Sequence, residues 1–485
     1  AIVVIGNGMA GSRLAALLRE RDPRCQLVIF GDEPGRAYNR ILLSDVLAGK
    51  LDHDDIALAE PSGAIDLRTG VSVVEIDRAN RVVVADDGSR TRYDKLILAT
   101  GSRALVPPIQ GLRQSDGELV EGAVTFRTMG DCRQIVEQAD NAKRAVVLGG
   151  GLLGLEAARG LARRGLAVDV VHLGGHLMER QLDFGASQIL VHTLEELGVT
   201  IHLEAFTKEI VGTDRVESVR LENGTEIPAD LLVVACGVRP DTSLAEQAGL
   251  QVERGVIVDD WMRTSDLRIY AIGDCAEHRG MVYGFVAPAW EQAQVVADVI
   301  TGGATRYFGS RLVTRLKASG VDLASMGDPH STDSGDGSAE VLTFADPARR
   351  TYSKVVIRDH RLVGAIFLGD TPTVGLVTQL FDRGDLVPND PRALLFPVVA
   401  GGSSPQGGVA DMSAGTTVCR CNTVTAGTIV RAWLEGARTV PDVASVTRAT
   451  TGCGGCRGTV EEFLSYLAAE TVGVVGADEA EEVVA

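Results

Sequence analysis

Four cysteines gather near the C-terminal end of this 485-residue chain. Cys419 and Cys421 lie in Val418-Cys-Arg-Cys-Asn-Thr-Val-Thr, and Cys453 and Cys456 lie in Thr451-Gly-Cys-Gly-Gly-Cys. Two close pairs of thiolates can wrap one small inorganic centre. The spacing by itself admits an iron–sulfur cluster or a zinc ion held by four thiolates. A stretch with helical character, Val424 to Glu435, separates the pairs and has to bring them together. The other four cysteines, Cys25, Cys132, Cys236 and Cys275, are scattered. That distribution is not a secreted disulfide framework. It reads as a cytoplasmic protein with one metal site and four core thiols.

The second group of residues fit for chemistry is a pair of glycine turns. The apolar run Ala1 to Ile5 leads into Gly6-Asn-Gly8-Met-Ala-Gly11 and then a helical pattern. Strand, G-x-G-x-x-G, helix is the context in which this motif binds a dinucleotide. The first Gly makes the tight turn, the second admits the pyrophosphate, and the third lets helix and strand pack closely. A second strand ends at Gly31-Asp32-Glu33, where a carboxylate can accept from a ribose 2′-OH. The unit then recurs. Ala145 to Leu148 precedes Gly149-Gly-Gly151-Leu-Leu-Gly154, and the next strand ends at Gly174. Gly6 to Gly149 and Gly31 to Gly174 are both offsets of 143 residues. Lys95-Leu-Ile-Leu-Ala-Thr100-Gly101 is likewise echoed by Leu231-Leu-Val-Val-Ala-Cys-Gly237. These are continuous apolar runs of the kind found in buried parallel strands.

The copies differ in chemistry. Asp32-Glu33 in the first aligns with Gly175-His176 in the second. The acids suit a free 2′-OH. The second copy carries no acid there, which leaves a 2′-phosphate open and points to His172, His176 or Arg180 as its ligands. A loop that simply makes few contacts fits the sequence equally well.

These elements need several domains to hold them, and the length allows about three or four. The net charge of −18 disfavours nucleic acid and anionic membranes as partners. Aromatics at 4% argue against a base-stacking surface. No apolar run of about 18 residues is present, so no membrane span is expected.

On the two fingerprints the chain resembles the pyridine-nucleotide flavoprotein reductases. The segment Thr264-Ser-Asp-Leu-Arg-Ile-Tyr-Ala-Ile-Gly273-Asp274 is similar to that superfamily's second FAD motif, which implies that Asp274 holds the flavin ribitol. Ala287-Pro-Ala-Trp-Glu-Gln resembles the helix whose N-terminus faces the flavin. Two departures narrow the resemblance. Disulfide reductases carry redox cysteines after the first fingerprint, and here that region is Tyr38-Asn-Arg40-Ile-Leu-Leu-Ser44-Asp45. Without a thiolate beside the flavin, dithiol exchange has no reagent. The same segment resembles Y-x-R-x-x-L-S-K of ferredoxin reductases, with Asp45 in place of Lys. In that branch the Lys pairs with a Glu that matches Glu156, so the ion pair does not carry over. Asp45 and Glu156 are the candidate catalytic residues. The resemblance also implies Arg40 as an FAD pyrophosphate ligand, and Thr100, Gly101, Arg127, Gly237 and Gly273 join the candidate FAD and NAD(P)H contacts.

The cysteine segments closely resemble the bacterioferritin-associated-ferredoxin-like domain, which implies a [2Fe–2S] cluster. Nicotinamide gives two electrons as hydride and a cluster carries one at a time, so a flavin between them is the converter. The expected fold class is α/β, with two Rossmann-like units, an αβ domain and a small cluster domain. Residues 1–110 and 238–302 make the FAD unit, and 111–237 the NAD(P)H unit. Residues 305–400 alternate apolar and polar as strands do, and the resemblance makes them an interface domain suited to a homodimer. A Gly/Ser-rich linker follows at 401–416, then the cluster domain at 417–468. The acidic tail 469–485 is expected to be disordered, most plainly over 477–485.

This order of parts resembles the electron-transfer portion of assimilatory nitrate and nitrite reductases. The nitrite enzymes add a sirohaem domain, and only 29 residues follow Cys456 here. The expected role is a cytoplasmic donor subunit serving a separate molybdenum or sirohaem protein. A stand-alone ferredoxin or rubredoxin reductase, and a redox or iron sensor, are the alternatives.

Overall fold

The computed structural model describes residues 1–59, 63–316, 318, 320–331, 339–369, 373–396, 409, 412–419, 424–450 and 456–481. They form two compact units. One comprises Ala1–Gly149, Thr207–Arg220 and Gly224–Ser310; the other comprises Gly150–Phe206, Leu221–Asn223 and Arg311–Ala485. The division falls inside the stretch expected as the NAD(P)H unit. The chain passes from one unit to the other within the second fingerprint, between Gly149 and Gly150.

The first unit is built on a parallel sheet. Its strand order is Ile269–Ala271, Lys95–Leu98, Ile2–Ile5, Leu27–Gly31 and Asp66–Thr69. Register places Ile5 beside both Leu98 and Phe30, so three strands end level and the first glycine turn opens just beyond them. Val3, Val4, Leu96 and Ile97 are fully buried, which is why these strands read as unbroken apolar runs rather than alternating ones. The helices Met9–Arg21 and Val286–Ile300 pack against each other. In the same unit Arg144–Leu148, Leu231–Val234 and Ala123–Thr125 pair in parallel. The echo seen between Lys95–Gly101 and Leu231–Gly237 has a structural reason. Each strand runs on into a short one, Ser102–Ala104 or Val238–Pro240, and these two pair antiparallel as a crossover ribbon.

In the second unit the helix Leu152–Arg163 precedes the parallel strands Ala167–Val171 and Val199–His202, with the helix Phe184–Glu196 between them. The αβ domain expected at 305–400 is a five-stranded antiparallel sheet. Its order is Val313–Leu316, Leu323–Gly327, Arg361–Leu368, Thr351–Arg358 and Glu340–Asp346. Asp359 and His360 both have positive φ, 50° and 56°, which matches the twist a two-residue hairpin turn requires. The helix Val374–Arg383 covers a core of Met326, Val355, Ile357, Phe367 and Phe381.

The cluster domain pairs Thr417–Cys419 with Val424–Thr425 and adds the helices Ala426–Leu434, Val440–Thr447 and Arg457–Glu481. The inter-cysteine helix begins two residues later than expected because Val424 and Thr425 serve as strand, and Thr425 then caps the helix through the Thr428 amide. The acidic tail is a correction: the last helix continues through Glu481. Ala and Glu are strong helix formers, and here their propensity outweighs the charge. Residues 401–408, 410 and 411 of the expected linker lie outside the described residues. Among the described residues no helix is long and apolar enough to cross a membrane.

Asp183 ties the αβ domain to the helix Phe184–Glu196. Its carboxylate caps Phe184–Glu196 by accepting from the Ala186 amide at 3.0 Å. It also accepts from the Tyr352 hydroxyl at 2.8 Å and the buried Lys354 ammonium at 3.0 Å. Burial pushes the Asp183 carboxyl up, but these three donors outweigh it and hold it below its ordinary value. The resulting stabilisation is complete above the unfolded-state pKa, about 4, and is lost as pH falls through the lower folded value. Asp183→Asn keeps a capping oxygen but strands the Lys354 charge. It is expected to cost about 2–3 kcal/mol at neutral pH and to flatten the acid limb of the stability profile. Urea unfolding across a pH series checks both effects; an acid limb as steep as wild type counts against the assignment.

Candidate functional site

At the first glycine turn Gly6 has φ +115°, and a Cβ there would collide with the Ala99 carbonyl oxygen. A Cβ on Gly11 would collide with the Gly6 carbonyl, and it would stand 3.4 Å from Val4. Gly8 is different: a Cβ there meets nothing within 4 Å. It is also the N-cap of Met9–Arg21, where free amides and the helix dipole favour a phosphate. The second turn repeats the pattern. Gly149 has φ +117° and abuts the Ala235 carbonyl, while Gly151 faces open space and caps Leu152–Arg163. Gly154 is buried on that helix.

Several candidate FAD ligands meet in one chain of contacts. Glu33 accepts from Arg40 at 2.6 Å and from the Tyr38 hydroxyl at 2.8 Å. Arg40 stacks on the Tyr38 ring and donates to the Arg127 carbonyl at 2.6 Å. Burial by itself would lower the Arg40 pKa, yet Tyr38 and Glu33 raise it, so Arg40 remains a cation. The Arg127 guanidinium then reaches Asp274 at 2.6 Å and the Ser102 hydroxyl at 2.5 Å, and Ser102 donates to Asp274 at 2.8 Å. Asp32 stands apart. It is exposed and accepts from its neighbour's amide, so of the two acids Glu33 faces this network. The Thr100 hydroxyl donates to the Asp241 carbonyl, and the Asp241 amide donates to the Gly101 carbonyl. Both bonds fasten the crossover ribbon. Gly101, Gly237 and Gly273 all have positive φ, as turns at strand ends require.

The helix after Asp274 is fixed by two residues of the Ala287-Pro-Ala-Trp-Glu-Gln segment whose contacts the sequence did not assign. The Gln292 side chain accepts from the Gly273 amide at 2.7 Å. The Trp290 indole donates to the Met9 carbonyl at 3.1 Å, and Arg13 lies over its ring. Gln292 is buried on an apolar helix face, and that misplaced polarity was its one sequence signal. The residues fit a large polar ligand. Arg13 Nε, Asn39 Nδ2 and Ser44 Oγ are buried without a hydrogen-bond partner among the described residues, a cost of about 1–3 kcal/mol each unless a bound group answers it.

Asp45 pairs with Lys50 at 2.9 Å. Glu156 is buried on Leu152–Arg163. The two lie in different units. At the second site His172 Nδ1 accepts from the Gly150 amide at 3.1 Å, and its Nε2 faces the His176 carbonyl at 3.0 Å. His176 Nε2 faces the Leu182 carbonyl. Both imidazoles are thus occupied by backbone. Arg180 is exposed, and its carbonyl lies 3.1 Å from His330 Nε2. The expectation that no acid stands here needs correction. The Glu179 carboxylate folds back onto Gly174, and Glu204 lies near Gly175. Sequence alignment of the two copies missed both because neither occupies the aligned position.

Of the four clustered cysteines, Cys419 and Cys456 are described. Both are buried in one core with Ile429, Trp433, Val443, Val460 and Phe463. Segments 37 residues apart in the chain therefore converge, as a shared inorganic centre needs. Cys421 and Cys453 lie outside the described residues. The scattered thiols are poor nucleophiles. Burial pushes Cys236 up to about 11 and raises Cys275 and Cys25 as well, and Cys132 is fully buried.

Three family models match successive stretches of the chain. The family model for pyridine nucleotide-disulphide oxidoreductases matches residues 1–296. Residues 313–383 match the rubredoxin NAD+ reductase C-terminal domain, and 417–465 match the BFD-like [2Fe-2S] binding domain. The chain is 41% identical over 476 residues to a Bacillus subtilis nitrite reductase [NAD(P)H], covering 96% of this chain and 57% of that protein. It is 38% identical over 474 residues to the assimilatory nitrate reductase electron transfer subunit of the same organism, covering 96% and 59%. The chain therefore spans less than two thirds of either relative's length. Among solved structures, the covalent putidaredoxin reductase–putidaredoxin complex superposes with a TM-score of 0.74 at 26% identity, covering 82% of this chain and 96% of that one.

Because Gly8 and Gly151 border open space, a larger side chain at either should displace ligand rather than polypeptide. Gly8→Val is expected to yield folded protein that has lost most of its flavin absorbance. Gly151→Val should keep the flavin and raise KM for the nicotinamide nucleotide roughly tenfold or more. Flavin content, circular dichroism and steady-state kinetics read the three quantities; a flavin-replete Gly8→Val protein refutes the pyrophosphate assignment.

Proposed function

Since the chain belongs to the pyridine nucleotide-disulphide oxidoreductase family, we propose that it is the NAD(P)H-dependent electron-transfer subunit of an assimilatory nitrate or nitrite reductase. It passes electrons to a separate molybdenum or sirohaem protein in the cytoplasm. The observation that carries this reading is the joining of two dinucleotide turns and a convergent cysteine domain in one chain, 96% of which aligns with the Bacillus electron transfer subunit at 38% identity. FAD, when bound, takes hydride from NAD(P)H and gives its electrons singly to a [2Fe–2S] cluster.

The residues divide the work. Gly6, Gly8 and Gly11 shape the FAD pyrophosphate cradle, and Arg40 supplies its cation. Glu33 accepts from the adenosine ribose. Asp274, held by Arg127 and Ser102, positions the ribitol. Gly149, Gly151 and Gly154 shape the corresponding cradle for NAD(P)H. The N-terminus of Val286–Ile300, anchored through Gln292 and Trp290, presents a positive dipole end to the flavin ring. Asp45, paired with Lys50, and Glu156, buried on its own helix, remain the candidate catalytic residues, each in its own unit. Cys419, Cys421, Cys453 and Cys456 ligate the cluster. With every described thiol outside that set buried or raised in pKa, dithiol chemistry has no reagent, which supports the cluster as the outlet.

Anaerobic titration with NADH or NADPH is expected to bleach the flavin first. The paramagnetic signal of a reduced [2Fe–2S] cluster should follow in wild type and be absent from Cys456→Ser. Flavin bleaching with no cluster signal in cluster-replete wild type would falsify the transfer route. Co-purification from nitrate-grown cells should bring down a molybdenum or sirohaem protein; a carrier protein unrelated to nitrogen reduction would favour a stand-alone reductase instead.

A further inference from the structure

Resting on the reading that the second glycine turn binds the nicotinamide nucleotide, we infer that Glu179 is the residue that selects NADH over NADPH. In a Rossmann unit the adenosine ribose lies over the end of the second strand, where an acidic residue accepts from the 2′-OH. Here that strand is Ala167–Val171, and the residues at its end, His172-Leu-Gly-Gly-His, contain no acid. The fold returns one to the same place. The chain loops through Gly174–Gly175, and Glu179 turns back so that its carboxylate occupies the space a Gly174 Cβ would fill. Any other residue at 174 would expel it.

His172 lies between the glycine loop and the carboxylate. The Gly150 amide donates to His172 Nδ1 at 3.1 Å. The His172 Nε2 lies 3.0 Å from the His176 carbonyl and 3.5 Å from Glu179 Oε2. His172 thus touches both the glycine loop and the acid placed for the ribose. A second carboxylate reinforces the first. Glu204 donates its amide to the Gly174 carbonyl at 3.0 Å, and its side chain lies 3.7 Å from where a Gly175 Cβ would stand.

Two carboxylates at this point accept from a ribose hydroxyl and repel a phosphate bearing nearly two negative charges. The nearby groups that could have bound a phosphate are mostly committed: His172 and His176 to backbone, with Arg180 exposed beside Glu179 as the remaining cation. Glu179 itself is 47% exposed, so solvent screens the repulsion and sets it at a moderate size.

The test uses the full-length, FAD-loaded protein. Artificial-dye reduction gives kcat/KM for NADH and NADPH, and calorimetry on the oxidised protein compares binding of ADP with 2′,5′-ADP. Wild type is expected to favour NADH by roughly tenfold or more and to bind ADP more tightly than 2′,5′-ADP. Glu179→Gln is expected to shrink the kinetic ratio at least about fivefold, with the change carried by KM for NADPH, and to narrow the binding difference in parallel. Glu179→Asp, which keeps the charge, should fall between the two. A wild-type ratio at or below one overturns the assignment, as does a Glu179→Gln protein whose nucleotide preferences are unmoved. If neither nucleotide supports dye reduction, the reductase reading fails, and the ADP comparison still decides the role of Glu179.

Discussion

Both nucleotide sites depend on one steric constraint: a buried parallel strand must hand the chain to a helix in a turn too tight for a Cβ. At Gly6 and Gly149 the missing side chain lets the turn pass against the carbonyl of the neighbouring strand, Ala99 in one case and Ala235 in the other. Once the turn is that tight, the following helix starts beside the strand ends and its unpaired amides point outward. The next glycine, Gly8 or Gly151, leaves those amides uncovered. Phosphate binding follows from backbone geometry before any side chain contributes.

Around that turn, side chains distinguish the two copies. The first copy concentrates charge. Glu33, Arg40, Arg127 and Asp274 form one connected network, each carboxylate held by a cation and a hydroxyl. Such an arrangement holds the groups rigidly, so little ordering remains to be done when a large cofactor arrives. The buried, unanswered donors of Arg13 and Asn39 and the hydroxyl of Ser44 mark where the protein leaves polar capacity for a ligand. The second copy carries no such network; a histidine lies between its glycine loop and a returning glutamate.

The αβ domain braces the loop of that second copy. Its sheet grips the segment after Glu179 through Ser325 on the Gln181 carbonyl, His330 beside the Arg180 carbonyl, and Tyr352 and Lys354 on Asp183. A loop on a nucleotide site is ordinarily among the least stable parts of a protein; here a separate sheet braces it.

The sequence by itself determined what depends on local sterics and residue type. The paired G-x-G-x-x-G turns, the buried parallel strands, the four-cysteine set and the lack of a thiol after the first fingerprint were all legible, because each is written in consecutive residues or a fixed spacing. Tertiary structure decided what depends on side chains crossing space. Glu179 supplies a carboxylate beside a stretch that the alignment left without an acid, since the loop after Gly174 brings it back over that residue. Ser102 and Gln292 hold the Asp274 turn from 172 and 18 residues away in sequence, contacts that residue type and spacing do not specify. The tail went the other way: its charge suggested disorder, and its Ala and Glu content continued a helix through Glu481. Spacing along the chain therefore identified which cofactors fit, while the choice between near-identical nucleotides rests on a carboxylate that only the folded loop puts in place.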